Sequence, residues 1–322
     1  MLALVSVAVA LAAADPLPSW NDTGPKRAIT AWVQSATTRG SEGFVEAPER
    51  VAVFDNDGTL WSEQPMAVEL AFTLDRVKAL GPAHPEWKTR SPFKAALQRD
   101  LAALARSGKK GLLELVAATH AGQSPEEFQR LAREWFATAR DEKGRSYAER
   151  VYPPMLELLA YLRANGFKTY IVSGGGIEFM RAVAPDLYGV PPEQIIGSSA
   201  KTELVMRAGR PQLNRLPKVD FIDDGPAKPV AINQHIGRRP VLAFGNSDGD
   251  LAMLQWTAAG DGRPLLGLVH HTDGERETAY DRTAAMGKLD VALDEARRQG
   301  WVVVDVKEDW KTVFPKVETV MP

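Results

Sequence analysis

Two aspartates two residues apart, Asp55 and Asp57, directly follow the apolar run Val51-Ala52-Val53-Phe54 and directly precede Gly58-Thr59. Such a run reads as a buried strand, and the loop at a strand's carboxyl end can turn both acids into the crevice where open α/β sheets take ligands. Two carboxylates so close can divide labour, one ionised as nucleophile or metal ligand and the other trading a proton. Taken alone, the same letters also describe a surface Asp-Gly turn.

Three further clusters have the same layout. In Ile171-Val172-Ser173-Gly174-Gly175-Gly176 an apolar run ends in a hydroxyl and glycines before a helical pattern. Glycines let backbone N–H groups approach a phosphate, and a helix start adds partial positive charge; plain turn geometry gives the same letters. Lys228, in Asp223-Asp224-Gly225-Pro226-Ala227-Lys228-Pro229, stands at a helix start. A cation there opposes the helix dipole unless it serves an anion or is simply solvated. Finally, Leu242-Ala243-Phe244-Gly245-Asn246-Ser247-Asp248-Gly249-Asp250-Leu251 offers oxygen ligands after a fourth apolar run. Oxygen-only chemistry suits hard cations such as Mg²⁺, while the alternative reading is an Asp-Gly turn with a helix cap.

The elements that must position these residues follow from periodicity. Strands are expected at 51–54, 167–172, 218–222, 241–244 and 265–269, with helices starting near Pro153, Gly225, Asp248 and Asp273. Residues 203–206 and 211–213 read as a small hairpin. Between Trp61 and Arg150 strand signals nearly vanish, and apolar residues recur at three- and four-residue spacing over 66–80, 93–106, 111–119 and 125–139. Ser124 with Glu127 forms a capping-box pattern before the last of these. An α/β fold follows, a Rossmann-like doubly wound parallel sheet with an all-helical cap inserted after the first strand. The expected division is 15–62 and 151–322 for the catalytic core and 63–150 for the cap.

The chain has 322 residues, 44% hydrophobic and 25% charged, enough to bury a sizeable core. Its formal net charge of −2 and lack of a long basic block argue against nucleic acid or anionic membrane as partner. A small molecule is the expected ligand. Residues 1–14, MLALVSVAVALAAA, are apolar, too short to span a bilayer and end in small residues. They read as an export signal, so the expected location is the bacterial periplasm with no stable membrane insertion after its removal. The sequence contains no cysteine, which excludes disulfides and thiolate metal sites.

Taken together and in this order, the four clusters resemble the haloacid dehalogenase superfamily, specifically its phosphoserine-phosphatase-like phosphatases with a helical cap after the first motif. The resemblance spans Val51 to about Leu268, with D-x-D-G-T its specific element. It implies that Asp55 is the nucleophile, forming an aspartyl-phosphate, and that Asp57 protonates the leaving oxygen and then activates water. It implies that Ser173, Gly174 and Lys228 hold the phosphate, and that Mg²⁺ binds Asp55, the Asp57 carbonyl, Asn246 and Asp250. The family usually carries Asp where this chain has Asn246, which removes a charge from the metal shell and leaves Asp248 as a possible substitute ligand.

Trp61, Glu63 and Gln64 follow the first motif closely enough to stand at the entrance as substrate-selectivity candidates, with a solvated hinge the other reading for Glu63. His270-His271 read as a surface pair, and no His spacing supports zinc. The implied activity is Mg²⁺-dependent hydrolysis of a small phosphomonoester. A phosphotransferase using the same intermediate and a non-catalytic phosphate-ligand binder are the alternatives.

Overall fold

A computed structural model describes residues 15–315, so the export segment expected at 1–14 lies outside the described residues. In chain order the main elements are α1 (Gly24–Thr37), β1 (Val51–Phe54), α2 (Val68–Leu80), α3 (Phe93–Gln98), α4 (Leu101–His120), α5 (Pro125–Thr138), α6 (Pro153–Ala164) and β2 (Lys168–Gly176). They continue with α7 (Ile177–Tyr188), β3 (Ile195–Arg207), β4 (Arg210–Phe221), α8 (Ala227–Ile236), β5 (Leu242–Gly245), α9 (Leu251–Ala258), β6 (Leu265–His270), α10 (Val291–Gln299) and β7 (Val302–Asp305).

The strands form one seven-stranded sheet in the order β4-β3-β2-β1-β5-β6-β7. Every neighbouring pair is parallel except the β3–β4 hairpin at one edge. Helices cover both faces, so β1 is apolar and buried at all four positions while its side chains alternate between two cores. Ala52 and Phe54 join the larger cluster with Ile171, Phe244 and the packing of α1, α2 and α6. Val51 and Val53 face Val172, Ala243, Ile232 and Met253 on the side of α8 and α9. The doubly wound α/β architecture expected from the alternation of runs is what the chain adopts.

The segment between β1 and β2 is helical throughout its regular elements, among the described residues. Ser124 caps α5, its hydroxyl accepting from Glu127 N at 3.1 Å while the Glu127 carboxylate accepts from Ser124 N at 2.8 Å. The pattern at 93–106 is broken by Arg99, which sits at φ 51°, and Asp100 starts α4 by accepting from Ala103 N at 2.9 Å.

Three local expectations change. The small hairpin is part of a much longer one, and 218–222 is the end of its antiparallel return strand rather than a separate parallel strand. No helix starts near Asp273, whose carboxylate accepts from Glu275 N and Arg276 N at 3.0 Å in an irregular segment running to α10. The last strand, β7, pairs with β6 and was not expected. Among the described residues no helix is long and apolar enough to cross a membrane.

Candidate active site

The carboxyl ends of β1, β2 and β5 converge on a cleft of about 470 Å³ lined by Asp55, Asp57, Ser173, Gly174 and Lys228. Parallel strands end on the same side of the sheet, so loops far apart in sequence meet there. The ladder carries one residue past β1, where Asp55 N donates to Phe244 O at 2.9 Å. Beyond it the chain turns tightly through Gly58 at φ 76°, where a Cβ would lie 2.0 Å from Asn246 Nδ2. Only glycine fits there, which accounts for the Gly of the first motif.

Lys228 is 2% exposed, and all three of its ammonium protons have acceptors: Asp55 Oδ1 at 2.6 Å, Asp250 Oδ1 at 2.6 Å and Val172 O at 2.9 Å. Burial alone would lower its pKa, but the charges of Asp250 and Asp55 outweigh that and hold the ammonium protonated. Asp55 is pushed upward by burial and by Asp250, against the pull of Lys228. Two buried carboxylates thus share one lysine, which leaves the cleft short of positive charge.

Asp57 is raised to about 6 by burial, with the charge of Glu69 adding to the rise and a hydrogen bond from Trp61 opposing it. That bond, Trp61 Nε1 to Asp57 Oδ1 at 2.8 Å, fixes one carboxylate oxygen. A carboxyl group near this value carries a proton for an appreciable fraction of the time at neutral pH, as a general acid must.

The glycine-rich turn is tightly engaged. Gly175 N donates to Ser173 Oγ at 3.1 Å, and Gly176 N, at the start of α7, donates to Glu69 Oε2 at 2.6 Å. Glu69 lies on α2, so the helical insertion reaches the glycine-rich turn through its own carboxylate. Sequence reading missed this contact, which has no local spacing signal.

The fourth cluster differs from expectation. Asp250 Oδ1 serves Lys228, and Oδ2 accepts from Asn246 N at 3.0 Å, Ser247 N at 3.1 Å and Ser247 Oγ at 3.2 Å. With no exposure and both oxygens engaged, Asp250 orients the lysine and the loop rather than standing open as a metal ligand. Asp248 also faces away, accepting from Asp290 N at 3.0 Å and Ala292 N at 2.9 Å at the start of α10. Asn246 is 1% exposed; its Oδ1 accepts from Thr59 Oγ1 at 3.1 Å and its Nδ2 donates to Glu63 Oε1 at 2.7 Å.

The entrance candidates also move. Trp61 is 1% exposed, its ring stacked 6.1 Å from Phe136, so it positions Asp57 from below instead of meeting substrate at the mouth. Gln64 donates to Met286 O at 3.0 Å and lines a different cavity. Glu63 does line the cleft, but it is buried and accepts from Tyr280 OH at 2.7 Å as well as from Asn246. Burial raises it to about 7, with the Asp57 charge adding and the Tyr280 bond opposing. It is neither a solvated hinge nor placed for a free cationic group.

His271 is buried rather than on the surface: Nε2 lies 2.8 Å from Gly58 O and Nδ1 lies 2.8 Å from Glu277 Oε1. Burial opposes its charged form, but Glu277 raises its pKa overall. With Tyr280 and Glu63, it pins the first motif to the loop after β6.

For a metal, the cleft offers oxygen donors only. The Asp55 carboxylate and the Asp57 main-chain carbonyl match Mg²⁺ chemistry, and a cation there would supply the charge that Lys228 alone does not. Asn246, expected as a further ligand, does not border the cleft and spends both amide atoms on Thr59 and Glu63. Among the described residues, no three His, Cys, Asp or Glu side chains form a cage that would hold a metal without main-chain help.

The comparisons agree with this geometry. A family model for haloacid dehalogenase-like hydrolases matches residues 52–255, which spans β1 to α9 and contains all four clusters. Among solved structures, a protein of unknown function from Bordetella pertussis Tohama I has a TM-score of 0.50 at 15% identity, covering 80% of this chain and 99% of that one. A conserved, functionally unknown protein from Anaerococcus prevotii DSM 20548 has a TM-score of 0.51 at 16% identity, covering 89% of this chain and 94% of that one. Both likenesses bear on the fold. No curated protein sequence matches the chain. With the family match extending over more than half its length and the paired acids, glycine turn, lysine and acidic loop arranged around one cleft, the chain belongs to the haloacid dehalogenase-like hydrolases.

Proposed function

We infer that the protein is a phosphatase that hydrolyses a small phosphomonoester through Asp55. The observation that carries this reading is the pairing of Asp55, bonded to a buried Lys228 at 2.6 Å, with Asp57, held at about 6, in one cleft. A carbon–halogen displacement needs a nucleophilic carboxylate but no second acid. Cleavage of an ester needs both.

In the first half-reaction an Asp55 oxygen attacks phosphorus, the bond from phosphorus to the ester oxygen breaks, and Asp57 gives its proton to the departing alcohol. In the second, water attacks phosphorus, Asp57 takes its proton, and the bond from phosphorus to Asp55 breaks, returning the free carboxylate. Trp61 holds one Asp57 oxygen throughout, leaving the other to move the proton. Lys228 favours the anionic form of Asp55, against the burial that opposes it, and limits its repulsion of the incoming phosphate. Ser173 and the Gly174 backbone border the space where the phosphoryl oxygens would lie.

Mg²⁺, held by the Asp55 carboxylate and the Asp57 carbonyl, would supply positive charge against the phosphoryl oxygens. The helical segment 63–150 is the proposed cap, with Glu69 its point of contact with the phosphate turn. We also propose export of the mature chain from about Asp15, which N-terminal sequencing of protein from the native host would check.

Phosphate release from a panel of phosphomonoesters, with and without Mg²⁺, tests the assignment. Hydride reduction of quenched enzyme, which converts an aspartyl-phosphate to homoserine, tests the intermediate. Absence of homoserine at position 55 during turnover would remove the covalent route. Transfer of phosphate to added alcohols in preference to water would favour a phosphotransferase.

A further inference from the structure

A second cavity, of about 270 Å³, opens between α4 and the β3–β4 hairpin. Glu69, Leu112, Val116, Gly174 and Asp224 line both it and the catalytic cleft, so the two are chambers of one space. Beyond that junction the walls turn apolar, with Leu113, Ala117, Leu216, Phe221 and Ile222 among them.

Two buried side chains on its wall each have a nitrogen with no hydrogen-bond partner. Arg215 is 6% exposed and its guanidinium lies 4.0 Å from the centre of the Phe128 ring, yet it forms no ion pair among the described residues and Nη1 has no hydrogen-bond partner. Its backbone is fixed to the turn between α4 and α5, with Arg215 N donating to Gln123 O at 3.1 Å and Gly122 N donating to Arg215 O at 2.8 Å. The cation is therefore held where it is. The charges of Glu178 and Glu69 act on it only from beyond ion-pair distance, a buried charge without a close partner is costly, and buried donors are nearly always satisfied.

His120, at 3% exposure, complements it. His120 Nδ1 lies 2.6 Å from the Thr119 hydroxyl, which also bonds Leu115 O at 2.8 Å. Nε2 has no hydrogen-bond partner, and the carboxylate of Glu69 lies 3.7 Å from it. Burial disfavours the charged ring and lowers its pKa. The chamber thus offers a charged donor and an unbonded imidazole nitrogen on an apolar wall. Glu69 and Asp224 stand at the junction with the cleft, and Lys109 and Lys218 also border the chamber.

We propose that this chamber binds the organic part of the substrate, and that the substrate is a phosphomonoester with an apolar chain ending in a carboxylate received by Arg215. This rests on the phosphatase reading. An apolar chain alone would leave Arg215 uncompensated. A single carboxylate at the far end neutralises the guanidinium, and a hydroxyl or amide on the chain can bond His120 Nε2.

The test uses the full enzyme and three phosphoryl donors: acetyl phosphate, too short to fill the chamber, hexyl phosphate, and 6-phosphonooxyhexanoate. The wild-type kcat/KM for 6-phosphonooxyhexanoate should exceed that for hexyl phosphate by about 10- to 100-fold, the worth of a charged hydrogen bond. In Arg215→Gln that ratio should fall to near one through KM. Leu113→Trp, which fills the chamber at a position outside the cleft, should raise KM for both long esters. Independently of turnover, 6-hydroxyhexanoate should bind wild-type protein in calorimetry and bind Arg215→Gln about tenfold more weakly or not at all.

If acetyl phosphate is hydrolysed but hexyl phosphate and its carboxylate analogue are equivalent, the chamber does not read the carboxylate and the proposal fails. If none of the three is hydrolysed yet 6-hydroxyhexanoate binds through Arg215, the phosphatase reading fails and the chamber stands. Absence of 6-hydroxyhexanoate binding to wild type also overturns the proposal.

Discussion

The loops after β1 and β5 leave adjacent parallel strands at the same end of the sheet, and both are acidic, yet they point their side chains in opposite senses. After β1, Asp55 and Asp57 line the cleft. After β5, Asn246, Asp248 and Asp250 all turn to protein partners, and only Ser247 and Gly249 border the cleft. A tight approach enforces the inward turn, since a Cβ at Gly245 would lie 2.4 Å from Asp250 Cβ. Position at a strand end therefore tells where a residue is, not what it faces. One loop carries the proposed reacting groups, and the other holds the lysine bonded to Asp55.

The strongest test of this division is Asp55→Asn. Removing the nucleophile should reduce kcat/KM by at least about a thousandfold. The fold should survive, because Lys228 keeps Asp250 at 2.6 Å and the cluster becomes one cation with one anion. Urea unfolding beside steady-state kinetics separates the two effects; activity within tenfold of wild type would end the covalent mechanism.

Asp57→Asn should cost about 10²- to 10⁴-fold, and more for alkyl esters than for nitrophenyl phosphate, whose leaving oxygen needs no proton. Equal losses for the two leaving groups would argue against an acid role.

Asp250→Asn probes the supporting loop. The amide removes the charge facing Lys228 and disturbs the three hydrogen bonds that Oδ2 accepts, in a residue with no solvent exposure. Breaking a buried charge pair costs about 3–5 kcal/mol, here lessened by Asp55, so a loss near the low end of that range is expected in chemical denaturation. The contrast with Asp55→Asn is the point: an acid that supports the fold should cost stability, whereas an acid facing the cleft should cost rate. Unchanged stability would show that Asp250 is free to do something else.

The large pattern was legible because parallel strands buried on both faces are short continuous apolar runs, and three of them, β1, β2 and β5, are followed by residues that line the cleft. The capping box at Ser124 was legible for the same local reason. The hairpin was underestimated because the stretches that lengthen it beyond 203–206 and 211–213, such as Ser198-Ser199-Ala200-Lys201-Thr202 and Asn214-Arg215, are mostly polar and show no apolar alternation. Contacts closed by distant chain, such as His271 with Gly58 O across 213 residues, have no spacing to read. Trp61 was nearer to legible: an indole four residues after an aspartate carries an N–H that burial obliges it to use. β7 was legible in Val302-Val303-Val304 and was passed over.

The smallest expected effect comes from Asn246→Asp, and it sharpens the comparison most, because it gives the β5 loop the charge of the β1 loop. Asn246 Nδ2 donates to Glu63 Oε1 at 2.7 Å, so the substitution sets two carboxylates against each other in a buried site. Glu63 already sits at about 7, above its ordinary 4.5, chiefly through burial. A group raised on folding contributes stability that is whole below its unfolded value and is lost as pH rises through its folded one. Wild type should therefore lose stability between about pH 5 and 7, and in the variant, where the pair can share one proton, the loss should extend above pH 7. A difference of about 1–2 kcal/mol at pH 8, shrinking at pH 6, is expected from thermal unfolding. The double variant Asn246→Asp with Glu63→Gln restores one donor and one acceptor across the same gap and should recover most of the loss. If the single variant is as stable as wild type at pH 8, the Asn246–Glu63 bond does not hold the loop, and the amide faces the cleft as its neighbours across the sheet do.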